Sequence, residues 1–215
     1  MKRILAILLM LTMILSVAFA EGTPDAEDAQ AAAPAVQYDY DELVVGTMMP
    51  MYGGFSLDNW GNSTSDVDVR KLINGYNLIV WNSAVSGFEL DPTVVTLGSL
   101  VTRDAEGNHV YTLTLYDDLC YSDGTKITAW DYAFSWLLRT SPLINEIGGS
   151  AKQAEYLVGW NDYAAGNTKY LAGVQVTDEY SLKITISAAY LPFFYEVSLL
   201  DCYPYPIQSD RKSVV

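Results

Sequence analysis

The chain has 215 residues, half of them hydrophobic and only 18% charged, which is enough for a buried core and unlike the composition of a disordered chain. Its 26 acidic against 12 basic residues give a net charge of −14, excluding nucleic acid or an anionic membrane as a partner held by bulk charge. One histidine and two cysteines exclude mechanisms that need two imidazoles, a four-thiolate zinc site and a dense disulfide scaffold.

In chain order, Lys2 and Arg3 precede an apolar run from Ile4 to Val17 and then Ala18-Phe19-Ala20. A basic start, an apolar middle and a small-x-small end predict a signal peptide over 1–20, hence export. Residues 21–42 are small, acidic and Pro-containing and read as a linker. In an exported chain Cys120 and Cys202 are a candidate disulfide, with two unrelated small buried side chains as the other reading.

The folded part is expected over 43–215. Leu43 to Thr47 predicts a short strand, followed by a Gly/Pro loop from Met48 to Gly54. Val69 to Ile73 has helical spacing, while Leu78 to Trp81 and Val94 to Val101 read as strands. Arg103 to Asn108 is a turn cluster, and His109 beside it reads as an exposed turn residue. The clearest strand places Tyr111, Leu113 and Leu115 on one face and Val110, Thr112, Thr114 and Tyr116 on the other. It runs towards Cys120 and Tyr121 and stops at the turn Ser122-Asp123-Gly124.

A helix then starts at Thr128, which can cap it, with Asp131 three residues on to suit the positive end of the dipole. Trp130, Ala133, Phe134, Leu137 and Leu138 form its predicted apolar face. A second helix is predicted over Gln153 to Tyr163, strands over Gly173 to Val176 and Leu182 to Ile186, and a last helix from Pro192 to Leu200. Strands, helices and hairpin turns mixed in this way predict a mixed α/β (α+β) fold.

No phosphate loop, HExxH, CxxC or GxSxG is present, and no cofactor or metal is called for. Asp66 with Asp68, and Asp104 with Glu106 and Asn108, have calcium-ligand types but not the loop grammar of a calcium hand, so solvated turns are expected. Aromatic residues are abundant, with 16 Tyr, 5 Trp and 6 Phe, many beside Gly, Pro or Asn. Loop aromatics give stiff, amphipathic contact surface, which suggests binding rather than catalysis and leaves a stand-alone peptide- or glycan-binding module open.

Tyr111-Thr112-Leu113-Thr114-Leu115, then Tyr121-Ser122-Asp123-Gly124-Thr125, then Thr128-Ala129-Trp130-Asp131 resemble the strand–turn–helix signature of family 5 extracellular solute-binding proteins. These serve ABC transporters for oligopeptides, dipeptides, nickel and related solutes. Tyr163 to Gly166, Gly173 to Val176, Tyr180 to Ile186, Leu191 to Phe194 and the Pro204/Pro206 segment follow the same family order. Tyr121 stands where Trp is usual and Lys126 where Pro is usual.

The resemblance implies a periplasmic-binding-protein type II-like lobe that binds a peptide or other small solute and presents it to permease subunits at the membrane. The resemblance further implies no enzymatic activity, no nucleic-acid partner, and a place in the periplasm or at the cell surface. It places the loop Met49-Pro50-Met51-Tyr52-Gly53-Gly54 near the ligand. Tyr121, Ser122, Asp123, Gly124, Thr128 and Asp131 are implied to be structural. Family members are much longer, so the resemblance implies an N-terminal part with the second lobe missing.

Overall fold

In the computed structural model, residues 44–61, 63–96 and 99–207 are described; the expected signal peptide, the linker and Leu43 lie outside them. Of the described residues, Val44 to Gly46 belong to one unit and everything from Thr47 on to a second. Val44 and Val45 are exposed and enter no strand, so the predicted strand over Leu43 to Thr47 is not formed by its described residues. A β-branched run makes a strand only where a neighbour supplies a hydrogen-bonded ladder, and no described strand pairs with it.

The second unit runs α1 (Thr64–Ile73), β1 (Ile79–Asn82), β2 (Gly87–Leu90), β3 (Leu100–Arg103), β4 (His109–Thr114), α2 (Ala129–Thr140), α3 (Leu143–Glu146), α4 (Trp160–Ala164), β5 (Val174–Asp178) and β6 (Ser181–Ile186), with 3-10 turns at Ala188–Tyr190 and Glu196–Leu200. This is the mixed α/β fold that the sequence predicts.

The alternation around Tyr111 becomes β4, second in an antiparallel sheet of order β3-β4-β6-β5. Register sets Tyr111 opposite Ile184 and Leu113 opposite Leu182, so the two apolar faces coincide. Tyr111, Leu113, Leu115, Leu182, Ile184 and Ile186 are all buried there. Each such side chain contributes roughly 1.5–3 kcal/mol on burial, so this row anchors the core. A one-residue slip would turn the whole row to solvent, which pins the register.

β1 and β2 form a separate hairpin, with Trp81 opposite Phe88. β2 is not in the sequence prediction: Gly87 and Glu89 dilute its apolar signal, and the ring contact across the strands supplies what composition lacks.

α2 packs on β5 and β6, but its buried face is not the predicted one. Trp130 is 54% exposed, while Ala129, Tyr132, Ala133, Trp136 and Thr140 are buried. Asp131 and Ser135 are buried as well. One side of the helix meets the sheet and another meets residues 201–207: Tyr205 donates to the carbonyl of Asp131 at 3.2 Å and Ile207 to its carboxylate at 3.1 Å. A helix covered on two sides does not keep a single apolar stripe.

The predicted helix over Gln153 to Tyr163 shortens to α4. Residues 156–158 are drawn instead onto the end of the sheet: Leu157 bridges Ile186, and the Val158 amide donates to Thr185 at 3.1 Å. Gly173 lies in the same crossing and donates to Val158 at 2.7 Å. The predicted final helix appears as the 3-10 turn Glu196–Leu200. His109 is the first residue of β4 rather than an exposed turn residue.

Candidate functional site

The loop predicted to lie near a ligand is exposed along Met48, Met49, Met51 and Tyr52, yet its main chain is fixed. The cause is α1. Ser63 caps the helix, its hydroxyl accepting from the Asp66 amide at 3.1 Å. This seats the Asp66 carboxylate in the first helical turn, where the dipole favours a negative charge. The carboxylate is fully buried and accepts the amides of Tyr52, at 3.0 and 3.3 Å, and of Gly53, at 3.3 Å.

Two further side chains of α1 complete the clamp. Ser65 donates to the Met49 carbonyl at 2.8 Å. Arg70, one turn on from Asp66, donates to the carbonyls of Gly54 and, at 2.9 Å, of Gly61. Gly53 sits at φ +86°, a conformation that L side chains rarely adopt, so the bend needs glycine. Polar main chain is held and apolar side chains are presented. A binding loop benefits from this arrangement, because ordering cost is met before a ligand arrives.

Behind the loop, α1, α2 and residues 201–205 enclose a cleft of ≈ 210 Å³ whose lining includes Asp58, Arg70, Lys71, Arg139, Tyr203 and Tyr205. Arg139 donates to Asp58 through Nε at 3.3 Å and NH2 at 3.2 Å, and Lys152 Nζ lies 3.2 Å from the same carboxylate. Burial opposes the Asp58 charge, but the two cations outweigh it and hold its pKa below the usual carboxylate value. Asn59, also buried, donates to the carbonyls of Arg139 and Ser150, both at 2.9 Å. Residues 58 and 59 thereby tie the loop's exit to the far end of α2.

The Tyr121 turn is a tight hairpin. Tyr121 and Thr125 are bonded at 2.9 Å, Gly124 takes φ +83°, and Asp123 Oδ1 accepts from the Thr125 amide at 2.9 Å. Ser122 occupies the turn itself. Asp131 Oδ2 then accepts from the Thr128 amide at 2.8 Å and from its hydroxyl at 3.0 Å, starting α2. Burial, with the nearby Asp131 and Asp123 carboxylates, pushes the Tyr121 phenol above its ordinary pKa. These six residues lie together in one strand–turn–helix unit, apart from the loop that α1 holds.

Cys120 and Cys202 are free thiols, so the candidate disulfide is not formed. Cys120 is exposed at the hairpin's bridge to Lys126, whereas Cys202 is buried against the carbonyls of Tyr132 and Tyr203. Burial pushes the Cys202 thiol up to about 12, which keeps it protonated and inert.

Asp66 is not a solvated turn residue, and sequence reasoning missed it, Ser65 and Arg70 as the loop's clamp. The only available signal was the order Ser63-x-x-Asp66 at a helix start. Asp104 does close a turn, accepting from the amides of Glu106 and Asn108 at 3.1 and 2.9 Å. Among the described residues no group of three acidic, His or Cys side chains is placed to hold a metal.

No protein-family model matches the chain. Over 114 residues it is 29% identical to the periplasmic oligopeptide-binding protein OppA of Escherichia coli, covering 53% of this chain and 20% of that protein. Over 67 residues it is 39% identical to the oligopeptide-binding protein OppA of Lactococcus lactis, covering 31% of this chain and 11% of that one. In part, this chain is similar to oligopeptide-binding proteins. These relatives are named as binding proteins rather than enzymes, and the chain spans about a fifth or less of their length.

Solved structures agree at the level of fold. Listeria monocytogenes OppA bound to peptide superposes with a TM-score of 0.53 at 18% identity, over 72% of this chain and 29% of that chain. The pheromone receptor PrgZ superposes with 0.56 at 18% identity and the same coverage.

Proposed function

We propose that this chain is an extracytoplasmic peptide-binding component for uptake through an ABC transporter, with the loop from Met49 to Gly54 touching the solute. The observation that carries the reading is the clamp: Ser65, Asp66 and Arg70 fix the loop's backbone while Met49, Met51 and Tyr52 face solvent. The similarity to oligopeptide-binding proteins supplies the solute class. Methionine and tyrosine suit a site that takes many side chains, being respectively adaptable and amphipathic. Export follows from the basic and apolar pattern of residues 1–20, and the transporter's permease subunits are the partner.

The test is calorimetry of the 215-residue chain against a mixed pool of short peptides and against oligosaccharides. Peptide heat that is lost in Tyr52→Ala supports the reading. Saccharide heat without peptide heat replaces it with a glycan-binding module, the second reading, which the exposed rings of Trp60 and Tyr52 favour.

A further inference from the structure

On the β1–β2 hairpin a row of aromatic rings stands open and belongs to neither the loop nor the cleft behind it. Trp81 meets Phe88 edge to face at 5.1 Å, Phe88 meets Tyr195 at 6.3 Å, and Tyr195 meets Phe194 at 4.7 Å, all near perpendicular. All four rings are substantially exposed, Phe194 at 88%. They come from two segments far apart in sequence, so the row is made by the fold.

Three of the rings, Phe88, Phe194 and Tyr195, line a cleft of ≈ 360 Å³ together with Phe193, Tyr111 and Glu196, and Trp81 backs Phe88 from outside that lining. The acidic member is oriented. Glu196 Oε1 accepts from the Tyr111 hydroxyl at 2.7 Å and lies 2.7 Å from His109 Nδ1. His109 Nε2 in turn lies 2.8 Å from a terminal guanidinium nitrogen of Arg103. Tyr111 and His109 thus meet the same carboxylate oxygen. Oε2 has no hydrogen-bond partner among the described residues. Burial and the Glu196 charge push the Tyr111 phenol upward, so it remains a donor and adds no second negative charge.

We propose that this cleft binds an organic cation, an alkylated ammonium or guanidinium group, with the ring faces around it and Glu196 beneath. Aromatic faces carry negative potential and attract such cations, and desolvation strengthens the contact. A chain of net charge −14 adds a favourable field. An apolar occupant would desolvate Glu196 Oε2 without giving it a partner, and an anion would meet both the carboxylate and the ring faces. The group can arrive as a free quaternary amine or as a lysine or arginine side chain.

The experiment titrates the 215-residue chain with choline and, separately, with 3,3-dimethylbutan-1-ol, its neutral isostere, following heat. Choline should bind at least about fivefold more tightly than the alcohol, and Phe194→Leu should weaken it by about two- to tenfold while leaving the melt unchanged. Glu196→Gln should weaken choline more than the alcohol. N-acetyl-lysine amide and N-acetyl-arginine amide separate the sources: binding of either as tightly as choline indicates a peptide side chain, and choline alone a free amine. Equal binding of choline and alcohol, no binding of any cation, or an unaltered Phe194→Leu overturns the proposal. The site is independent of the loop clamp, so Tyr52→Ala should not alter choline binding.

Discussion

Replacing Asp66 by alanine removes the acceptor of the Tyr52 and Gly53 amides in one step. Hydrogen bonds to a charged group are worth about 1.5–3 kcal/mol each, and a carboxylate in the first turn of a helix adds about 0.3–1 kcal/mol. The full sum overstates the loss in stability. Tyr52 is exposed, so water can take over its freed amide, and burying a carboxylate carries its own desolvation cost. Discounted for both, Asp66→Ala should destabilise by about 1–3 kcal/mol. The Tyr52 and Gly53 amides should lose exchange protection by more than that, because they also lose their local anchor. Asp66→Asn should fall between, since one amide oxygen can still accept. Urea melts give the first quantity and amide hydrogen exchange the second. Melts unchanged within about 0.5 kcal/mol, with Tyr52 and Gly53 still protected, would refute the clamp.

Gly173→Ala should be worse than its size suggests. A Cβ there would lie 2.8 Å from both the amide nitrogen and the carbonyl oxygen of Val158 and 3.1 Å from the Thr185 carbonyl, all main chain. A loss of about 1–3 kcal/mol or more in a urea melt is expected, and a neutral result would mean that the crossing is looser than described. The phenols of Tyr111, Tyr121 and Tyr132 are all raised, chiefly by burial. Their contribution is present below the unfolded phenol pKa of about 10 and is lost as pH rises above it. An absorbance titration should therefore show these tyrosines ionising late and together with unfolding; early, independent ionisation would contradict their burial.

Legibility followed the range of each interaction. The row Tyr111, Leu113, Leu115 and its partner Leu182, Ile184, Ile186 is readable because a half-buried strand writes its face into alternate residues. The start of α2 is readable because Thr128 and Asp131 are three residues apart. The face of α2 is not, since residues 201–207 cover a side that local periodicity assigns to solvent, and Trp130 is left outside. Asp66 reaches back 14 residues and Arg139 reaches Asp58 across 81. No spacing rule spans such gaps, so the loop's anchoring was not legible in the sequence.

Asp131 serves two masters with one carboxylate. Oδ2 starts α2, and Oδ1 holds the Ile207 amide. Order at the first turn of the helix and order at Ile207 are therefore coupled through this carboxylate, which adds to the bond from the Tyr205 amide to the Asp131 carbonyl. Loosening the helix start would weaken the hold on Ile207, and freeing Ile207 would weaken the helix start in return. The two amides that it holds, Thr128 and Ile207, should exchange as a pair despite lying 79 positions apart in the sequence.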